Sequence, residues 1–301
     1  MTNVRSLLSA ASYAWLFGLL GCDGSTRRQT HVEPVSSRAY TLVAPRDHDP
    51  RRPARVLFSL HAFGNEPETL VEILGLVRRA VQQRGWLLVI PSGERDSRGA
   101  PHWNASAACC GFGPRHDDVA YLRAVLADVR KRYAVDAGKV SAIGLSNGGF
   151  MAQRWACEPG GDLRMIVSIA GAAPGPDDPP CRPSDAVSVL HIHGDRDVTI
   201  DYHGGTSDAA VVGQRGRYPS AAQTVALWLR ADAASQGDAA AVPLRKSRER
   251  TLRLATLRRE DFSPRGRSVS LWTVEGEDHG LRSLRWLADD IFEFMDRGLP
   301  R

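Results

Sequence analysis

The chain is 301 residues long, carries a net charge of +5, and is 43% hydrophobic and 24% charged. That balance excludes wholesale disorder and collagen-like or coiled-coil fibres, and the length suits one large α/β domain or two small ones. Only three of its 39 basic residues are lysines (Lys131, Lys139 and Lys246), and the arginines are scattered among acids rather than clustered with aromatic platforms, so nucleic acid is not an expected partner.

Met1–Cys22 reads as an export signal. Arg5 supplies the positive start, and Leu7–Leu20 is an apolar stretch short for a membrane span and suited to a signal core. It ends in Leu19-Leu20-Gly21-Cys22, which resembles a bacterial lipobox, where the cysteine thiol is lipidated and becomes the mature N-terminus. Leu20 stands where Ala or Ser is more usual. A plain cleaved signal or an uncleaved anchor would also put the rest of the chain outside the cytoplasm. The expected location is therefore extracytoplasmic, secreted or lipid-anchored to a bacterial membrane, with membrane contact only through Cys22. Polar residues 23–37 are expected to form a tether and residues 38–301 the folded domain.

The remaining elements alternate. Ala39–Val43, Arg55–Leu60 and Trp86–Ile90 read as early strands, with Pro67–Gln83 as a helix between the last two. Asp118–Tyr133 has Val119, Leu122, Val125, Leu126 and Val129 at helical spacing. Val140–Leu145, Met165–Ala170, Val187–Ile192 and Ser268–Val274 are short continuous apolar runs, as in strands buried on both faces. Ser220–Arg230 and Leu284–Asp296 are further helices. Ala231–Glu260 reads as an insertion or as a helix with a loop. The alternation predicts a mostly parallel sheet with helices on both faces.

Cys109, Cys110, Cys157 and Cys181 allow three full pairings in an oxidising compartment. The neighbours Cys109 and Cys110 are poorly placed to bond each other, so a link to Cys157 is the expected bridge. Their spacing does not offer a zinc site.

Gly144-Leu145-Ser146-Asn147-Gly148 is a G-x-S-x-G segment between a predicted strand and a predicted helix, the context in which this motif carries a nucleophile. The serine needs a sharp turn, and glycine two residues to either side removes the crowding. The helix behind it aims free N–H groups at a developing oxyanion, with Asn147 as one donor. The chain order in such a site is nucleophile, acid, base. Asp197 is the expected acid, after the strand ending Leu190-His191-Ile192-His193, with Asp195 and Asp201 as substitutes. His279 is the expected base; His203 sits too close to the acid loop. The second oxyanion donor is expected at Phe63, in Leu60-His61-Ala62-Phe63-Gly64. His61 is expected to prop that loop rather than act as base, and is counted with Trp103 on the substrate side; Trp103 could stack on an aromatic acyl group or a sugar, or serve as partly buried packing.

Together, Leu60–Gly64, Trp103-Asn104, Cys109–Gly111, Asp117–Val119, Gly144–Gly149, Cys157-Glu158, His191–Asp197 and His279 resemble the poly(3-hydroxybutyrate) depolymerase-like esterases of the α/β-hydrolase superfamily, a group that includes feruloyl and acetylxylan esterases. The resemblance covers most of Arg38–Leu299. It implies an α/β-hydrolase fold, Ser146, Asp197 and His279 as the triad, and Phe63 and Asn147 as oxyanion donors. It also implies hydrolysis of a small-molecule or polymeric ester through an acyl-enzyme, with no cofactor or metal. The chain departs from the family at Ala62, where glycine is usual, near Val198 and Asp201, where a proline is usual, and at Gly280-Leu281, where an aromatic-proline pair is usual. Those positions border the acyl pocket and the base loop, so they bear on the substrate.

Two rival readings compete. His191-x-His193-x-Asp195 superficially resembles a metal-ligand run, because alternate strand residues share a face, but no second cluster accompanies it. The other is a non-catalytic surface lipoprotein that binds a glycan or polymer on a hydrolase fold.

Overall fold

The computed structural model describes residues 24–32, 38–182, 186–234, 246–253, 255–262 and 267–298. The expected signal segment 1–22, with Cys22, lies outside the described residues. Ten strands form one sheet: β1 Thr26–Val32, β2 Ala39–Pro45, β3 Ala54–Leu60, β4 Leu87–Pro91, β5 Val135–Leu145, β6 Met165–Ile169, β7 Ser188–Gly194, β8 Lys246–Thr251, β9 Thr256–Phe262 and β10 Val269–Glu275. Their order is β1-β2-β4-β3-β5-β6-β7-β10-β9-β8. The six strands from β4 to β10 in that order run parallel, and an antiparallel pair closes each edge.

Residue character explains this arrangement. β4, β6 and β7 are buried along their whole length, so both sheet faces must be covered. Along β3, Val56 and Phe58 point into one apolar cluster and Leu57 into the other. The first cluster is covered by α2 (Asp118–Arg132), α3 (Asn147–Cys157) and α5 (Ala221–Ala234), with Phe58 edge-on to Trp155 at 5.0 Å. The second is covered by α1 (Glu68–Leu74) and α6 (Leu284–Gly298). A short α4 (Ala209–Val212) lies in the loop after β7.

Three local expectations need correction. Residues 23–37 were expected to be a tether, but Thr26–Val32 form β1, which pairs residue by residue with β2 from Thr26↔Pro45 to Val32↔Ala39. Its polar residues suit an edge strand, which gains backbone hydrogen bonds without needing an apolar face. The single helix expected over Pro67–Gln83 stops at Leu74. Gly75 adopts a left-handed cap (φ 57°), and the chain restarts as a π-helical turn over Val77–Gln82. Within Ala231–Glu260, α5 continues to Ala234 and an antiparallel pair, β8 and β9, follows; every residue of β8 is exposed and its charges mark a sheet edge.

The expected link to Cys157 is also corrected. Cys157, at the end of α3, bonds Cys181, with the two Cα atoms 4.7 Å apart. Cys109 and Cys110 bond each other across a cis peptide that brings their Cα atoms to 3.1 Å.

Candidate active site

Strand succession goes from β3 outward to β4, then crosses back to β5 and onward. The loops after β3 and β5 therefore meet where the order reverses, the usual crevice of an open parallel sheet. Ser146 occupies the turn from β5 into α3 with φ 52° and ψ −116°, a conformation that L-residues rarely adopt. Its N–H donates to Ile169 O on the neighbouring strand end (2.7 Å). A Cβ on Gly144 would stand 2.0 Å from Gly148 O, and one on Gly148 would stand 2.1 Å from Leu60 O. The first glycine lets the turn close. The second lets the end of β3 lie against the first turn of α3.

The side chains from three strand ends converge. Ser146 Oγ donates to His279 Nε2 at 2.9 Å, and His279 Nδ1–H donates to Asp197 Oδ2 at 2.7 Å. Asp197 Oδ1 accepts the N–H groups of Thr199 and Ile200, each at 2.9 Å. Burial opposes the charge on Asp197, but hydrogen bonds from His193 and His279 and from the backbone outweigh it and hold the carboxyl well below the usual carboxylate range. Asp195 and Asp201, the substitute acids, are exposed and bonded elsewhere: Asp195 accepts Gly276 N–H of the loop after β10 (2.6 Å), and Asp201 accepts His203 N–H of its own loop (2.8 Å).

Next to Ser146, Asn147 has two separate parts. Its side-chain amide pairs with the backbone of Trp103: Oδ1 accepts Trp103 N–H (2.7 Å) and Nδ2 donates to Trp103 O (2.8 Å). Its backbone N–H, first in α3, has no intrahelical partner. Phe63 is half-buried in the loop after β3, two residues beyond His61, whose carbonyl lies against Gly148.

Trp103 and His61, expected on the substrate side, are both fully buried, so neither offers a face to a ligand. Trp103 Nε1–H donates to His61 O (3.0 Å), and the two rings lie 4.9 Å apart. His61 Nε2 accepts Gly93 N–H (2.9 Å), which puts its hydrogen on Nδ1, donated to Ala62 O (2.8 Å). Burial drives the His61 pKa down to about 4. Both residues brace the Leu60–Gly64 loop from below. A large aromatic followed by a polar residue reads the same in sequence whether it is exposed or buried, so sequence alone could not separate the two roles. The sequence analysis also missed the Asn147 amide clamp and the contact of His193 with Asp197.

Among the described residues, no group of three or more His, Cys, Asp or Glu is arranged to hold a metal ion.

No protein-family model matches the chain. It is 30% identical over 271 residues to the protein named esterase NocK from Nocardia uniformis subsp. tsuyamanensis, an alignment spanning 86% of this chain and 71% of that protein. It is 28% identical over 207 residues to the probable feruloyl esterase C of Aspergillus niger, spanning 66% of this chain and 70% of that protein. Among solved structures it shares its fold with the acetyl xylan esterase from Aspergillus awamori (TM-score 0.53, 14% identity), over 90% of this chain and 100% of that one.

Proposed function

We propose, from the premise that the chain belongs to the esterases of the α/β-hydrolase superfamily and is a carboxylic ester hydrolase, that Ser146, His279 and Asp197 form its catalytic triad. The single observation carrying this reading is the placement of His279 between Ser146 Oγ (2.9 Å) and Asp197 Oδ2 (2.7 Å). Ser146 Oγ attacks the ester carbonyl while His279 Nε2 takes its proton. Asp197 keeps the imidazole hydrogen on Nδ1 and steadies the imidazolium. The backbone N–H groups of Phe63 and Asn147 receive the oxyanion, each worth about 3 kcal/mol in the transition state. His279 then protonates the departing alcohol. Water, activated by the same histidine, releases the acyl group from Ser146.

The substrates we infer are soluble feruloyl or acetylxylan-type esters and hydroxybutyrate oligomers. The similarity to proteins named feruloyl esterase C supports the feruloyl part of this range, and the acetylxylan and hydroxybutyrate parts rest on the sequence resemblance. The catalytic domain in this reading runs from β1 to the C-terminus, and the enzyme is exported, with Cys22 as its lipid anchor. The disulfide between Cys157 and Cys181 is consistent with an oxidising compartment.

The test is hydrolysis of short nitrophenyl esters by the wild type beside Ser146→Ala. The variant is expected to lose at least about 10⁴-fold in kcat. Equal rates would refute the nucleophile and leave the glycan- or polymer-binding reading. A panel of feruloyl, acetylxylan and hydroxybutyrate esters then ranks the substrates.

A further inference from the structure

The ester chemistry leaves two histidines of β7 unused. His191 and His193 are buried side by side within the sheet, and Asp195, the third residue of the alternate run, is exposed and tied to Gly276. The run is therefore split between interior and surface. His193 Nε2 lies 2.8 Å from Ile200 O and 3.2 Å from Asp197 Oδ2. Both neighbours are acceptors, so this nitrogen carries a hydrogen. Ile200 in turn donates its own N–H to Asp197 Oδ1 (2.9 Å). His193 Nδ1 sits 3.2 Å from His191 Nε2, so one ring donates to the other and the pair is fixed in place.

We infer that His193 is a positioning residue for Asp197: it pins the Ile200 turn that grips one carboxylate oxygen, and presents its N–H edge to the other, the oxygen that His279 uses. This rests on the triad reading above. Two effects follow. The Asp197 carboxylate cannot swing away from His279, because both its oxygens are held from behind. Part of its charge is also drawn toward His193, which moderates its pull on the His279 imidazolium. Asp197 is the only carboxylate in direct contact with either imidazole among the described residues. The other ionisable groups near this cluster are His191 on β7, Tyr202 with its ring edge-on to His193 at 5.7 Å, and Tyr218, whose hydroxyl accepts Asp201 N–H; Asp201, Glu277 and Asp278 approach it through their backbones, with the Asp201 and Asp278 carboxylates turned to His203 and Gly280. Tyr202 is bonded to Thr273 (2.7 Å), and Glu277 is occupied by Ser283 (2.6 Å).

The experiment measures kcat and the pH profile of kcat/KM on a nitrophenyl ester for wild type, His193→Phe, His193→Gln and His193→Asn, with Ser146→Ala as the reference for the triad. Phe keeps a ring and loses the donor. Gln can place an amide N–H near the Nε2 position, and the shorter Asn cannot. Phe and Asn are expected to lower kcat about ten- to hundred-fold. They are also expected to move the acid limb of the profile upward, because the Asp197 carboxylate charge is then undivided. Gln is expected to recover most of the rate and the wild-type limb. Should Phe fail to fold, Asn against Gln reads the same contrast. The inference is overturned if Phe or Asn keeps the wild-type rate and limb, or if Gln is as impaired as they are. If Ser146→Ala retains the wild-type rate, the triad reading itself falls, a failure separate from that of His193.

Discussion

Acid should unfold this protein through the histidine beneath the Leu60–Gly64 loop. His61 is fully buried, and its Nε2 is already taken by Gly93 N–H, so a second proton has no place to go without breaking that bond. Its folded pKa is about 4, against 6.5 for the unfolded chain. Between those values the unfolded chain binds the extra proton, so stability rises with pH. The contribution is complete above about pH 6.5 and is lost as pH falls toward 4. The full gap of roughly 2.5 pH units corresponds to about 3 kcal/mol, of which about 2.5 kcal/mol is gone by pH 4.5. That equals roughly 5–10 °C in melting temperature for a chain of this size. The assay is urea unfolding from pH 7.5 to 4.5 for wild type and His61→Gln, whose side-chain oxygen still accepts from Gly93 but does not titrate. His191, also depressed by burial and by the charge of His193, acts in the same direction in both proteins and cancels. The wild type should lose about 2.5 kcal/mol more than the variant over this range. Parallel curves would show that His61 is not the group responsible.

Gly148→Ala puts a methyl group against Leu60 O at 2.1 Å and should push the β3 loop off the nucleophile, costing about 10²-fold or more in kcat with the fold retained. An unchanged rate would mean that loop plays no part in the transition state. Cys157→Ser opens a link between residues 24 apart and should cost about 3 kcal/mol, read as a lower urea midpoint. An unchanged midpoint would remove the bridge from the stability argument.

How much of this was readable beforehand follows from burial. β3, β4, β6, β7 and β10 lie between helices, so their sequences are predominantly apolar and announce themselves. β1 and β8 are edge strands whose polar sequences, Thr-Arg-Arg-Gln-Thr-His-Val and Lys-Ser-Arg-Glu-Arg-Thr, show no such pattern, because their pairing is purely backbone. The split of the first helix turns on Gly75 alone, whose left-handed cap is visible only once the chain is built. At the site, G-x-S-x-G between strand and helix identified a turn that does carry Ser146 at positive φ, and the order of Asp197 and His279 identified side chains that do meet it. His61 braces its loop as its position suggested, and Trp103 is packing rather than a ligand face. A histidine bonded to a glycine N–H 32 residues away is a tertiary fact with no local signature.

The meeting of these side chains is a property of the sheet rather than of any one loop. The end of β3 lies on Gly148 of α3. Ser146 N–H donates to Ile169 O at the end of β6, Ala170 N–H to Ile192 O of β7 (2.8 Å), and Arg196 N–H to Glu277 O in the loop carrying His279 (3.0 Å). Each loop of the proposed site is thus tied to the strand end beside it, in the order the strands are laid down. Ala170 is the middle tie, fully buried and left-handed at φ 49°, with no place in the triad. A β-branched residue fits that conformation poorly, at a cost of roughly 1–2 kcal/mol or more, and would shift the tie between Ser146 and the acid loop. Ala170→Val should therefore lower kcat at unchanged KM, while Ala170→Gly, at ease with positive φ, should keep the wild-type rate. A valine variant with wild-type kcat and melting temperature would mean that the loops are held independently, and the chain of ties across the sheet would not be what sets the distances at Ser146.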